Sequence, residues 1–173
     1  MLDAKGESPL QKITPHLWFD SQAEEAANFY VSIFKGSTIG RISRYGEAGA
    51  KISGKKQGTA MTVAFELAGQ PFMALNGGPV FRFNEAISFM VTCETQQEID
   101  YYWERLSESG DETAQQCGWL KDKFGVSWQI VPAALGEFMS GDPRRSERVM
   151  EALLRMKKLD LESLRLASKG ETE

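Results

Sequence analysis

Two stretches of this chain carry the same apolar pattern 72 residues apart, and that repeat limits what the chain can fold into. Near the N-terminus Leu17 and Phe19 alternate with His16 and Trp18, after which Ala27, Tyr30, Val31 and Phe34 recur at helical spacing. Further on, Phe89 and Val91 alternate with Ser88 and Met90, followed by Ile99, Tyr102, Trp103 and Leu106. Alternation marks a strand with one buried face, and the wider spacing marks a helix with one apolar stripe. Leu17, Ala27, Tyr30 and Phe34 correspond to Phe89, Ile99, Tyr102 and Leu106 at the constant offset. The period exceeds that of stacked small repeats and occurs twice, so the pattern implies two fused α+β modules rather than a solenoid.

Ser21 with Glu24 predicts a capping box at the first helix, with Gly36 beyond its end, and Thr95 with Glu98 predicts the second, with Gly110 beyond it. Strands are expected at 39–45, 61–67 and 71–75, with a polar loop at 46–58 and a turn at Ala68-Gly69. In the second module they are expected at 113–117, 119–121 and 126–131, the last two joined by a turn at 122–125. Each module thus reads βαβββ. A helix covers one face of an antiparallel run, and the other face pairs with the second module or lines a cavity. After Pro132, Asp142 as a cap and Pro143 in the first turn start a helix with Val149, Leu153, Leu154 and Met156 inward. Asp160 caps a final helix with Leu161 and Leu164 inward. Such stripes are buried against the chain's own sheet or against a two-fold partner, and both arrangements stand. The expected organisation is one domain over 11–132, with modules at about 11–78 and 84–132, and a helical extension over 133–173.

A chain of 173 residues with 42% hydrophobic and 25% charged residues can bury a sizeable core. Its net charge of −4 argues against nucleic acid as a partner, because phosphate neutralisation needs a basic face. Cys93 and Cys117 lack the CxxC spacing of a zinc or redox site, which suits a reducing, cytoplasmic setting. The first ten residues hold no signal-peptide core and no apolar run is long enough to span a membrane, so no membrane association is expected.

Several runs in order resemble a known family: Ile13-Thr-Pro-His-Leu-Trp-Phe-Asp20, Glu24-Glu-Ala-Ala-Asn-Phe-Tyr30, Gly69-Gln-Pro-Phe-Met-Ala-Leu-Asn-Gly-Gly78 and Gly118-Trp-Leu-Lys-Asp-Lys-Phe-Gly-Val-Ser-Trp-Gln-Ile-Val-Pro132. With the tail from Arg148 to Asp160, they are similar to the PhnB-like branch of the vicinal oxygen chelate (glyoxalase/bleomycin-resistance) superfamily, over 13–167. The resemblance implies an α+β fold of two paired βαβββ modules of the glyoxalase type with C-terminal helices, and a homodimer. It also carries the label of a demethylubiquinone methyltransferase. Methyl transfer of the dinucleotide-fold kind needs a strand, a glycine turn and a helix, whereas Gly77-Gly78 leads into Pro79 and reads as a tight turn.

The superfamily's usual chemistry implies a divalent metal chelated by inward His, Gln or Glu and acting as a Lewis acid, which gives the alternative of a metal-dependent isomerase, lyase or dioxygenase. The corresponding positions here are His16, a site between Met73 and Asn76, Ser88, and Gln129. One histidine, a serine and a neutral amide are a weak ligand set for a dication, so no metal and no cofactor are expected. No nucleophile and base pair emerges from Cys117 and His16. What remains is a small-molecule cavity. Its candidate lining is His16, Trp18, Asn76, Ser88, Met90, Trp128 and Gln129, with Phe65, Phe72 and Trp119 as further aromatic surface.

Overall fold

The structure, a computed structural model, describes residues 12–171. The N-terminal segment, the domain start at 11 and the last two residues of the extension lie outside the described residues. The chain forms two compact units, meeting in sequence between Arg82 and Phe83.

The first unit runs β1 (His16–Phe19), α1 (Ala23–Ile33), β2 (Thr38–Arg44), α2 (Glu47–Ser53), β3 (Ala60–Leu67) and β4 (Gln70–Asn76). Its sheet has the order β1-β4-β3-β2, with β1 parallel to β4 and the other pairs antiparallel. Alternation builds it as expected, since Leu17, Phe19, Val63, Phe65, Leu67, Phe72 and Ala74 are all buried. The β3–β4 hairpin turns at Ala68 and Gly69, both at positive φ (48° and 87°), the two-residue geometry that matches strand twist. α1 lies on the buried face, where Tyr30 stacks on Phe65 at 6.2 Å and Phe65 on Phe72 at 5.3 Å. The loop expected at 46–58 contains α2, which buries no residue and so leaves no stripe in the sequence.

The cap of α1 differs from the Ser21–Glu24 box. The N-cap is Gln22, without a side-chain bond, and the Ala23 amide donates instead to Asn76 Oδ1 at 2.8 Å. A buried acceptor from β4 thus replaces the local hydroxyl.

The second unit runs β5 (Phe89–Cys93), α3 (Gln96–Ser107), β6 (Trp119–Lys121), β7 (Ser127–Pro132), α4 (Leu135–Phe138), α5 (Pro143–Leu154) and α6 (Leu161–Lys169). Its sheet has the order β5-β7-β6. Here the predicted cap forms: the Glu98 amide donates to Thr95 Oγ1 at 3.2 Å, while Glu98 Oε2 accepts from the amide of Glu94, one residue before the cap, at 2.7 Å. Ile99, Trp103 and Leu106 are buried, while Tyr102 is half-buried and Tyr101 exposed. The strand expected at 113–117 does not form. Glu112–Ala114 is a 3-10 turn capped by Asp111, and a single bridge joins Gln116 to Trp119. Cys117 and Gly118 adopt φ of 54° and 83°, a left-handed backbone that cannot continue a strand. Their amides donate instead to Met156 and Lys157 carbonyls, both at 2.8 Å. The unit is therefore βαββ, with a strap of the tail where the fourth strand was expected.

The tail has its own core of Phe138, Val149, Leu159 and Leu164. Asp142 and Asp160 cap α5 and α6 as expected. Leu154, expected inward, is 55% exposed. Of the two arrangements, the tail takes the one on its own unit. Gln96 Nε2 donates to the Leu159 carbonyl (3.2 Å), Gln96 Oε1 accepts from the Leu161 amide (2.8 Å), and Lys158 pairs with Asp100 at 2.6 Å. Among the described residues no helix is long and apolar enough to cross a membrane.

Tyr30→Ala and Trp103→Ala are each expected to lower stability by about 3–5 kcal/mol, the range for aromatic-to-alanine core changes. Tyr102→Ala, at a half-buried site, is expected to have less than half that effect. Urea denaturation of the three variants ranks them, and equal midpoints would refute the assigned helix faces.

Candidate functional site

Each sheet gives one face to its helix, and the candidate residues divide according to which face they occupy. In β1, Leu17 and Phe19 point to α1, so His16 and Trp18 lie on the opposite face, as the alternation predicts. Trp18 is firmly seated. Its Nε1 donates to the Gly78 carbonyl at 2.8 Å, and Phe81 meets it edge-on at 4.9 Å. Its ring lies so close over Gly77 that a Cβ there would be 2.1 Å from it. Gly77 and Gly78 also donate their amides to Phe19 and Asp20 carbonyls at 2.9 and 3.2 Å. They are a ladder extension and a seat for an indole, where the sequence suggested a simple turn. By register Met73 stands opposite His16 and Leu75 opposite Trp18, and Thr62, opposite Leu75, bonds Ser43 at 2.5 Å. His16 is exposed and has no hydrogen-bond partner among the described residues.

Asn76 is a correction. It shares the helix-side parity of Phe72 and Ala74 and is 6% exposed. Its Oδ1 caps α1, its Nδ2 donates to the Ala60 carbonyl at 3.0 Å, and its own carbonyl accepts from Tyr45 Oη. A buried amide with these bonds in place is scaffold and is not free for a ligand.

In the second unit Met90, Gln129 and Trp119 stand abreast across β5, β7 and β6 on the face away from α3. Gln129 Nε2 donates to Ser88 Oγ at 2.8 Å, which fixes the amide, and Met90 is 62% exposed. Ser88, Met90 and Gln129 are thus brought together. Trp128 is not with them. It is 3% exposed on the opposite face, with its Nε1 bonded to Asp122 Oδ2 at 2.9 Å and its ring tilted against Phe89 at 5.4 Å. Asp122 is buried too, and it also accepts from the Phe124 and Val126 amides to close the β6–β7 turn. Trp119 takes the position the sequence assigned to Trp128, and the alternation of Trp119 with buried Leu120 is the signal that finds it. Phe65 and Phe72 likewise belong to the core.

Among the described residues no three His, Cys, Asp or Glu side chains gather closely enough to hold a metal ion. At the implied ligand positions the side-chain oxygen of Asn76 accepts from the first amide of α1, while Gln129 donates from its nitrogen to Ser88. Burial, with Glu98 nearby, pushes the Cys93 thiol up to about 11, which keeps it protonated and unreactive.

A sheet with one helix-covered face and one face bearing an indole and a thioether, made twice from a repeated sequence, defines a mixed α+β protein. The profile of the 3-demethylubiquinone-9 3-methyltransferase family matches residues 11–131. A PhnB protein from Bacillus cereus is 43% identical, with a TM-score of 0.62, covering 71% of this chain and all of that one. Protein PA1353 from Pseudomonas aeruginosa shares the fold at 20% identity, with a TM-score of 0.53, covering 69% of this chain and 96% of that one. No curated protein matches the sequence. The chain belongs to the 3-demethylubiquinone-9 3-methyltransferase, or PhnB-like, family. The family match ends at residue 131, short of the tail included in the resemblance read from sequence.

Asn76→Ala is expected to cost about 2–4 kcal/mol, because it removes a cap and leaves the buried Ala23 amide and Ala60 carbonyl unpaired. Hydrogen exchange should show fraying confined to the start of α1, and uniform loss of protection would refute this role.

Proposed function

We propose that this PhnB-like protein binds a small molecule and does so without a complete metal centre. The observation that carries the reading is the helix-free face of the second sheet, where the Gln129 amide is pinned by Ser88 beside Trp119 and exposed Met90. Apolar surface with a few fixed polar groups is the usual composition of a ligand site. Trp18, held by Gly77 and Gly78, offers a comparable surface in the first unit, with His16 next to it on β1. Methyl transfer, which the family name describes, is not the reading the residues favour. The β1–α1 and β5–α3 junctions contain no glycine, and Gly77-Gly78 extends a strand ladder.

We read 11–132 as the inherited ligand-binding domain and 133–173 as its extension, supported by a family match that stops at 131. Free Cys93 and Cys117 suit a cytoplasmic setting, and Val80, Phe81 and Ile87, each more than half exposed, suit a homodimer.

The test is metal dependence. Purified protein is expected to contain no stoichiometric divalent ion, and zinc, nickel or manganese should leave its unfolding temperature nearly unchanged in both wild type and His16→Ala, since linked stabilisation requires native-state affinity. A tightly bound ion whose stabilising effect is lost in His16→Ala would overturn the metal-free reading.

A further inference from the structure

We infer that the ligand of the second unit's open face is an anion, a carboxylate or similar oxyacid attached to an apolar body, and that Lys121 anchors it where Glu85 sits in the free protein. The inference rests on the proposed small-molecule reading of that face. Lys121 lies directly opposite Ser127 in the β6–β7 pair, and Trp119 lies opposite Gln129 one same-face rung further along. The Lys121 side chain is 20% exposed, while its partner Glu85 is 59% exposed and comes from the segment leading into β5. That segment passes over the β6–β7 end, with Phe83 beside Gly125 and Ser88 on Gln129. On the same strand face Ser127 is 2% exposed, and its Oγ has no hydrogen-bond partner among the described residues. An orphaned buried hydroxyl is costly and indicates a group missing from its surroundings.

The three features have one explanation. An ion pair with so exposed a partner is weak and exchangeable, so a ligand carboxylate can take the place of Glu85 on Lys121. A carboxylate has acceptor capacity to spare and can also receive the Ser127 hydroxyl, removing the orphan. The other acid near Lys121, Asp111, receives the hydroxyl and amide of Thr113 at 2.6 and 2.9 Å on a single oxygen, Oδ1. Trp119, two residues from Lys121 on the same strand face and so roughly 7 Å away, takes the apolar body. Lys121 also holds the Glu85 carboxyl below its ordinary range, as expected of a group already serving as an anion there.

The probe is 3-phenylpropionate, whose spacer spans that separation, with 3-phenylpropan-1-ol as its uncharged counterpart. Binding is read by NMR on the Trp119 indole N–H, assigned with Trp119→Phe. The carboxylate is expected to bind at least about tenfold more tightly than the alcohol, the margin of a charge-assisted bond. Glu85→Gln, at an exposed site that leaves the fold intact, should tighten the carboxylate several-fold and leave the alcohol unchanged. Lys121→Met should bring the two probes to equal affinity. Alcohol binding with no preference for the carboxylate, or a carboxylate affinity unmoved by Glu85→Gln, would overturn the anion inference and leave the small-molecule reading standing. No binding of either probe at Trp119 would overturn both.

Discussion

A strand has two faces, and in each unit a single helix occupies one of them; every other property of the open faces follows from that allocation. Shifting β1 by one residue would put His16 and Trp18 under α1 and expose Leu17 and Phe19. The allocation in the first unit is secured at one buried point. Asn76, at the end of β4, receives the first amide of α1 and donates to the first residue of β3, so helix, strand and hairpin share one origin. From that point Tyr30 reaches Phe65, the Phe65–Phe72 stack closes the helix side, and Trp18 is left outward over the flat backbone of Gly77.

The second unit solves the same problem with fewer strands. Its chain turns at Cys117 and Gly118 through left-handed conformations, and a Cβ at Gly118 would lie 2.9 Å from the Ile130 carbonyl and 3.0 Å from Leu159, so close approach of strand and tail requires the glycine. The freed amides are taken by Met156 and Lys157. Buried backbone donors must be satisfied, and here residues beyond the family match satisfy them. The tail is therefore part of how this unit completes its backbone bonding, and Gln96, bonded to both sides of Leu159–Leu161, ties it to the start of α3.

What was legible in the sequence is what local chemistry decides. The alternation of Val63, Phe65 and Leu67, the Ala68-Gly69 turn, the Thr95–Glu98 cap and the Asp122 turn each depend on residues a few positions apart, and each was readable. The cap of α1 was not, because its acceptor lies 53 residues away. α2 has no buried face to leave a pattern. The strand expected at 113–117 failed because positive φ at Cys117 and the bonds of the tail are tertiary facts. Trp128 and Asn76 are different cases. Aromatic size suggested one for a pocket and polarity the other, but parity places both on the helix side, where the indole N–H and the amide needed partners and have them in Asp122, Ala23 and Ala60.

Parity also gives the open faces their chemical character. On the first sheet His16, Trp18, Met73, Leu75 and Thr62 share a face whose far end carries the exposed carboxylate of Glu66. On the second, two successive rungs differ in polarity. Gln129 donates from its nitrogen to Ser88 on the rung it shares with Trp119, while on the next rung Lys121 pairs with Glu85 across from the buried Ser127 hydroxyl. A ligand lying along β6 and β7 would meet Lys121 only as Glu85 moved aside, so the ion pair as well as the strand register governs that end of the face.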